Sequence, residues 1–218
     1  ATSWKPQLFP PHVLQIRARR PADGFAVDPT PGAPRVALVG VRACDLAAFA
    51  LLDRVLATGD HVDVDYAARR ASTFVVAVNC TASASACFCV SSGSGPEVGE
   101  GAAVVVTELA EAGDDRVLLE GRSRQGERLV QQLRSDRSRA AGPGDLAAAA
   151  ARVAEAAGTQ RDTIETSALR NLLVSQPEHP RWNEVADRCL GCGNCAMLCT
   201  ASFCSDVVDT TAITGAVA

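Results

Sequence analysis

The chain has 218 residues, 47% of them hydrophobic, and carries a formal net charge of −4 with a pI near 5.4. This length allows one domain with an appendage, or two small domains. The acidic balance argues against a nucleic-acid-binding protein, and no apolar run approaches the length of a membrane span. Nine cysteines behind an N-terminus without a secretory apolar region favour the reducing cytoplasm and metal binding over a disulfide framework.

The first 34 residues are rich in proline and arginine. Proline fixes φ and removes a backbone donor, so residues 1–34 are predicted to form an extended arm. Trp4, Leu8 and Phe9 are the apolar side chains that could dock this arm onto a folded body.

Buried strands and a helix alternate at the start of the next segment, 35–140. Arg35–Val41 and Thr73–Val78 are apolar runs typical of buried strands. Between them, helical spacing is shown by Leu46, Phe49, Leu52 and Leu56, with Asp45 as the predicted N-cap. A strand–helix–strand pattern of this kind predicts a parallel pair. Further elements of this segment are predicted as strands at 102–107 and 116–119 and a helix at 127–133.

Helices are predicted for most of the remaining chain. In 141–180, one alanine-rich helix begins with Asp145 as its cap, and a second covers Arg161–Val174. The last segment, 181–218, opens with a short helix around Trp182. The fold class predicted is α/β: a small parallel-containing sheet with flanking helices, followed by helices and a partial ferredoxin-like cysteine segment. The chain lacks an initiator Met and ends soon after its last cysteine, so we expect a fragment or a processed product.

A run of cysteines dominates the last segment. Four of them have the spacing C-x2-C-x2-C-x3-C, and a fifth follows: Cys189, Cys192, Cys195, Cys199 and Cys204. This spacing is that of bacterial-type [4Fe–4S] ferredoxins. Gly191 and Gly193 would let a tight turn bring three thiols inward and let backbone N–H groups approach cluster sulfurs.

Two points stay open for this run. Zinc also accepts four thiolates, but its sites usually pair two separated C-x2-C knuckles, whereas these cysteines are crowded together. The other point is the fourth ligand, which Cys199 or Cys204 could supply, because in two-cluster ferredoxins the fourth cysteine of such a run binds the neighbouring cluster.

A second set of cysteines lies in the predicted α/β segment: Cys44, Cys80, Cys87 and Cys89. The first two follow predicted parallel strands, at the edge where open α/β sheets place their sites. The spacing of Cys87 and Cys89 lets both thiols point the same way if the segment is extended. Gly93 and Gly95 supply backbone that could approach a cluster closely. Three interpretations stay open: a metal centre, thiols packed as small hydrophobes, and a reactive thiol.

Nucleotide binding and hydrolysis find no support in the sequence. The segment after the first strand is not G-x-G-x-x-G and no G-K-[ST] occurs, so neither NAD nor flavin is assigned to this chain. The three histidines are scattered among loop-like segments.

Several motifs together resemble a known family, the iron–sulfur β subunit of cytoplasmic NiFe hydrogenases of the sulfhydrogenase type, to which one of the subunits of anaerobic sulfite reductase is related. They are Ser3-Trp4-Lys5-Pro6, Gly40-Val-Arg-Ala-Cys44-Asp45-Leu46, Val64-Asp-Tyr66, Asn79-Cys80, Cys87-Phe-Cys89 with Gly95-Pro96, Thr107-Glu108-Leu109 and Trp182 to Cys195. The resemblance covers almost the whole chain.

The resemblance implies a non-catalytic electron-transfer subunit with ferredoxin-like [4Fe–4S] clusters. From the residues, one cluster is predicted at Cys189–Cys199, and a second is one of the interpretations of the other cysteine set. The subunit would relay electrons between a flavin subunit that handles NAD(P)H and a subunit pair that holds the catalytic metal. An anaerobic sulfite reductase relay, a zinc-stabilised module and a scaffold without a cluster are the alternatives.

The sequence departs from the family pattern near its end. Where the family reads C-P-T-C-F-C, this chain has Thr200 in place of the proline and Ser202 in place of a cysteine. The second ferredoxin run of the family, which should supply the fourth ligand of the first cluster, is missing here.

Overall fold

A computed structural model describes residues 3–19, 24–28, 32–109, 115–203 and 205–208. The chain divides into two compact units. The first, called here the sheet unit, consists of Ala37–Ala50 and Phe74–Gly193; the second, the terminal unit, consists of Ala1–Val36, Leu51–Thr73 and Asn194–Ala218. The four segments predicted from composition (1–34, 35–140, 141–180 and 181–218) stay a prediction.

Eight helices and six strands are found in the described residues. In chain order they are α1 (Lys5–Leu8), β1 (Arg17–Arg19), β2 (Ala26–Asp28), β3 (Val36–Arg42), α2 (Ala43–Leu56), α3 (Val64–Ser72), β4 (Thr73–Val78), β5 (Val104–Glu108), β6 (Val117–Gly121), α4 (Arg124–Gln132), α5 (Pro143–Gly158), α6 (Leu169–Ser175), α7 (Arg181–Ala186) and α8 (Asn194–Leu198).

The sheet unit is built on four strands in the order β3-β4-β5-β6. Strands β4 and β5 are parallel, with Val76 opposite Val104, and β5 and β6 are antiparallel, with Val106 opposite Leu119. The sheet is mostly parallel, and the predicted α/β fold class with a parallel-containing sheet is confirmed. Its central strands are buried because valine and alanine fill them, and the fully or nearly buried side chains include Leu38, Val41, Phe49, Val75, Ala77, Val104 and Val105.

Helix α4 lies very close to the sheet. Ser123 caps it by accepting a 3.0 Å hydrogen bond from the backbone N–H of Gly126. A Cβ atom on Gly126 would overlap the carbonyl oxygen of Ala103, and one on Gly121 would lie 2.7 Å from the backbone of Glu127. Only glycine permits this approach at either position, so these two residues set the distance between α4 and the strands.

Two predicted N-caps lie one turn further into their helices. Helix α2 begins at Ala43, so Asp45 is in its first turn, where its carboxylate accepts a 3.3 Å hydrogen bond from the N–H of Arg42. Gly142 is the N-cap of α5, and the carboxylate of Asp145 accepts a 2.8 Å hydrogen bond from its N–H. In both helices the aspartate satisfies a backbone donor from inside the first turn instead of from the cap position.

The prediction of a helix over 161–174 is wrong for its first half. The helix found there, α6, begins at Leu169. Upstream, the N–H of Ile164 donates a 3.0 Å hydrogen bond to Oγ of Ser91, and the Glu165 carboxylate accepts from both the N–H and the hydroxyl of Ser167. Side chains thus satisfy backbone groups that a helix would need, and they hold the segment in a non-helical path.

The terminal unit contains more regular structure than an extended arm. Residues 5–8 form α1, and β1 pairs with β2 in an antiparallel ribbon. Helix α3, which the sequence did not predict, begins after Asp63, whose carboxylate accepts hydrogen bonds from two backbone N–H groups. The hydroxyl of the fully buried Tyr66 donates a 2.7 Å hydrogen bond to Asp53, which also pairs with Arg70. Burial raises the pKa of the Tyr66 phenol, and the bond to Asp53 adds to the rise.

No helix in the part of the chain that the structure describes is both long and apolar enough to cross a membrane.

Candidate metal centre

The ends of two neighbouring strands deliver the first cysteines of the α/β set. Strand β3 ends at Arg42, and Cys44 lies in the first turn of α2 that follows directly. Strand β4 ends at Val78, and Cys80 follows after one residue. The intervening Asn79 is fixed, because its side chain donates to Thr107 at 2.8 Å and accepts from the N–H of Val98 at 2.7 Å.

The Gly95–Pro96 segment joins these strand ends to the loop that carries Cys87 and Cys89. The N–H of Cys80 donates a 3.2 Å hydrogen bond to the carbonyl oxygen of Pro96. A Cβ atom on Gly95 would lie 3.0 Å from Cβ of Ala43 and 3.3 Å from Sγ of Cys89. Since φ of Gly95 is +155°, both its conformation and its surroundings favour glycine. The Gly95–Pro96 segment therefore lies against the start of α2 at Ala43, against Cys80 and against Cys89.

The loop cysteines have the alternation that an extended segment predicts. Cys87 and Cys89 are half-buried, whereas Phe88 between them is exposed. The N–H of Ser94 donates a 2.8 Å hydrogen bond to the carbonyl oxygen of Cys89, and the N–H of Cys87 donates to that of Ala84 at 3.1 Å. These bonds fix the backbone on either side of Phe88; that both thiols point the same way stays a prediction.

The pKa values of the Cys44 and Cys80 thiols are raised by burial and by the charges of neighbouring groups. Burial raises the pKa of the Cys44 thiol, and Asp45, Cys80 and Cys89 raise it further. Burial likewise raises the pKa of the Cys80 thiol; Arg42 opposes the rise, while Cys89 and Cys87 add to it. Neighbouring thiolates therefore disfavour ionisation of Cys44 and Cys80, and a bound cation would relieve this repulsion.

Gln160, two residues after the end of α5, contacts this loop through its side-chain amide. Its Nε2 atom lies 3.1 Å from Sγ of Cys89 and 3.3 Å from Oγ of Ser83, and its Oε1 atom accepts a 3.1 Å hydrogen bond from the N–H of Val90. The hydroxyl of Ser83 also donates to the carbonyl oxygen of Ala156 at 2.7 Å. The end of α5 is thus fastened to both sides of the loop.

The donor set fits a soft metal or an iron–sulfur cluster. Four thiols without a carboxylate or imidazole among them are the ligands of zinc and of iron–sulfur centres. Within the described residues, no three His, Cys, Asp or Glu side chains already stand around a common point as metal ligands do. Metal binding by Cys44, Cys80, Cys87 and Cys89 accordingly stays a prediction.

The C-terminal cysteine run is held by short local elements. Helix α7 leads into Cys189, as predicted, and Gly191 and Gly193 adopt left-handed φ angles of +65° and +71°. The N–H of Gly191 lies 3.4 Å from Sγ of Cys189, an N–H to sulfur contact of the type expected of this turn. Cys195 is in α8, whose last turn is continued by the hydrogen bond from the N–H of Cys199 to the carbonyl oxygen of Cys195.

The four described cysteines of this run are exposed free thiols: Cys189, Cys192, Cys195 and Cys199. The first two belong to the sheet unit and the last two to the terminal unit. Cys204, the other candidate for the fourth ligand, lies outside the described residues. Gly93, predicted to supply flexible backbone near the other set, adopts a left-handed φ of +65°.

Sequence reasoning missed two residues beside these cysteines. Gln160 carries no recognisable motif, so no signal in the sequence could have identified it. Lys5 is different: it is the sole lysine among 21 basic residues, and its ammonium donates a 2.8 Å hydrogen bond to the carbonyl oxygen of Ala196, next to Cys195. The signal in the sequence was that Lys5 is the single lysine of a chain otherwise rich in arginine.

Comparisons with known proteins support the resemblance. No family model matches the chain, and no solved structure matches it significantly. The chain spans about half (51%) of the length of the curated relative that it matches. Over 182 residues, 82% of this chain, it is 28% identical to the sulfhydrogenase 2 subunit beta of Pyrococcus furiosus, a distant homologue that bears out the resemblance to the sulfhydrogenase beta subunit.

Proposed function

We propose that this chain is an iron–sulfur electron-transfer subunit of a hydrogenase-like complex in the cytoplasm. The similarity to a sulfhydrogenase beta subunit is the single observation that carries the proposal. Two further observations support it: the chain has two sets of cysteines, and its eight described cysteines are free thiols. The sequence also lacks a nucleotide-binding motif. Free thiols are the ordinary state of cysteine in a reducing compartment.

The C-terminal run would hold one [4Fe–4S] cluster. Cys189, Cys192 and Cys195 would bind three of its irons, with Cys199 as the fourth ligand in this chain. The left-handed Gly191 and Gly193 support this assignment because they allow the tight turn that such a ligand run requires. When bound, the cluster would accept and release single electrons.

The set at the strand ends would hold a second cluster through Cys44, Cys80, Cys87 and Cys89. The proposal is supported by the contacts of the Gly95–Pro96 segment with Ala43, Cys80 and Cys89, and by the neighbouring thiolates that raise the pKa of Cys44 and Cys80. Two centres in one chain would form a relay. Its outer partners would be a flavin subunit that handles NAD(P)H and NiFe hydrogenase-like subunits that hold the catalytic metal.

Anaerobic reconstitution with iron and sulfide tests the function. The protein should become brown, bleach on reduction and give an EPR signal in the reduced state. Replacing Cys192 by Ala should remove the absorption and the signal of the C-terminal cluster, while the far-UV circular dichroism of the chain is retained. A colourless protein that binds zinc in place of iron would contradict electron transfer and favour a structural metal site.

A further inference from the structure

Gln160 is placed to act on the second cysteine set through one sulfur. Its amide spans the loop: Oε1 accepts from the N–H of Val90, and Nε2 approaches Sγ of Cys89 at 3.1 Å. The orientation of the amide follows from chemistry, because a backbone N–H must meet an acceptor and only the oxygen of the amide accepts. The NH2 group is therefore the part that faces Cys89.

The position of this amide is fixed by the end of α5. The carbonyl oxygen of Ala156, in the last turn of that helix, accepts a 2.7 Å hydrogen bond from the hydroxyl of Ser83. Beyond the end of α5, the N–H of Ile164 donates to Oγ of Ser91. The helix end is thus tied to the loop on both sides of Cys89, so the amide can be held at the sulfur without a large further loss of side-chain freedom.

We propose that Gln160 is a positioning residue that donates a hydrogen bond to the Cys89 thiolate when this sulfur binds the second cluster, and so raises the reduction potential of that cluster. The inference rests on the proposed function, specifically on a cluster at this set. Reduction adds one negative charge to a cluster and its thiolates. A donor directed at a ligand sulfur stabilises the more negative state more strongly, and hydrogen bonds to the sulfurs are a known determinant of cluster potentials.

The test measures the midpoint potential of the second cluster by itself. The Cys192→Ala background removes the C-terminal cluster, so that a redox titration followed by EPR reports only on the remaining centre. Gln160→Leu removes the donor, and Gln160→Glu keeps the shape of the side chain but presents an acceptor. Gln132→Glu, at an exposed position on α4, is the control for the added negative charge.

Both Gln160 variants should have a more negative midpoint potential, and the shift should be larger for Gln160→Glu. At a fixed ambient potential we expect the reduced-to-oxidised ratio to fall about threefold to tenfold, tenfold being about 59 mV for a one-electron couple. Gln132→Glu should leave the potential unchanged. If Gln160→Leu does not retain iron, the midpoint potential of Gln160→Glu tests the inference, because glutamate has the same shape as glutamine.

Two negative outcomes are distinguishable. If the Gln160 variants retain their iron and have the same midpoint potential as the parent, the inference about Gln160 is wrong. The proposal of a second cluster would be unaffected. If replacing both Cys44 and Cys80 by Ser leaves the iron content unchanged, there is no second cluster at this set. The inference about Gln160 is then also wrong.

Discussion

The ammonium group of Lys5 donates a 2.8 Å hydrogen bond to the carbonyl oxygen of Ala196, the residue that follows Cys195. Only 5% of Lys5 is exposed, and its Nζ atom lies 5.6 Å from the centre of the Phe9 ring. A buried ammonium requires such partners, because removal from water is otherwise costly. Within the terminal unit, this bond ties α1 to α8, which carries Cys195.

Replacing Lys5 by Met should loosen α8. The carbonyl oxygen of Ala196 then loses a charged donor, and a hydrogen bond to a charged group contributes about 1.5–3 kcal/mol. We expect the variant to be cleaved more rapidly in 194–208 under limited proteolysis, with the sites identified by mass spectrometry. Lys5→Arg retains the charge in a bulkier group and should be intermediate. Equal cleavage rates for Lys5→Met and the parent would show that this bond does not hold α8.

The distance between α4 and the sheet depends on Gly126. Gly126→Ala should destabilise the sheet unit, because the added methyl group meets the carbonyl oxygen of Ala103, which cannot move without its strand. Overpacking of this kind costs about 1–3 kcal/mol, occasionally more. Gly144→Ala is the matched control: Gly144 also lies in a helix, but a Cβ atom there would meet nothing within 4 Å.

Urea unfolding followed by far-UV circular dichroism compares the two glycine variants. The midpoint should fall for Gly126→Ala and stay or rise for Gly144→Ala, because alanine is favoured over glycine in a helix by about 0.5–1 kcal/mol. Equal effects of the two substitutions would mean that helix propensity, and not contact with the sheet, determines the result.

The start of α5 should make stability depend on pH. Hydrogen bonds from Arg139 hold the pKa of the Asp145 carboxyl well below its usual range, and the bond from Gly142 N–H lowers it further. Because the folded-state pKa is the lower one, this contribution is fully present above the unfolded value of about 3.9 and is lost as pH falls through the folded-state value.

Asp145→Asn tests this dependence. The variant should be less stable than the parent at pH 7, and the difference in urea midpoint should shrink as the pH is lowered below about 4. Asp162→Asn, at an exposed position, is the control for the loss of one carboxylate. A difference between Asp145→Asn and the parent that stays constant from pH 7 to the acid limit would contradict the ionic origin of the effect.

The sequence predicted the elements that can be recognised from the pattern of apolar residues within the element itself. Strand β4 was predicted at Thr73–Val78 and is found there, because an unbroken apolar run needs burial on both faces. The helix predicted over 161–174 is absent from 161–168, where Ser91, 73 residues away, accepts a hydrogen bond from the N–H of Ile164. Helix α3 was missed although Asp63 is a capable cap, since it is only nine residues long and carries few large apolar side chains.

The same difference applies to the candidate sites: their cysteines were predicted from the sequence, whereas the contact with Gln160 was not. The C-terminal set was predicted from the spacing of its cysteines, and the other set from the position of Cys44 and Cys80 after predicted strands. The approach of Gln160 to Cys89 joins positions 71 residues apart, and nothing local in either segment signals it. Contacts of this kind depend on how α5 is placed on the loop, and only the fold supplies that information.

The iron content of the reconstituted protein tests the central claim, two clusters in two cysteine sets, most directly. Iron and acid-labile sulfide would be measured anaerobically for the parent, for Cys192→Ala and for the double replacement of Cys44 and Cys80 by Ser. We predict about eight irons per chain in the parent and about four in each variant, since each [4Fe–4S] cluster contains four. Iron content that is the same in all three proteins would contradict the account.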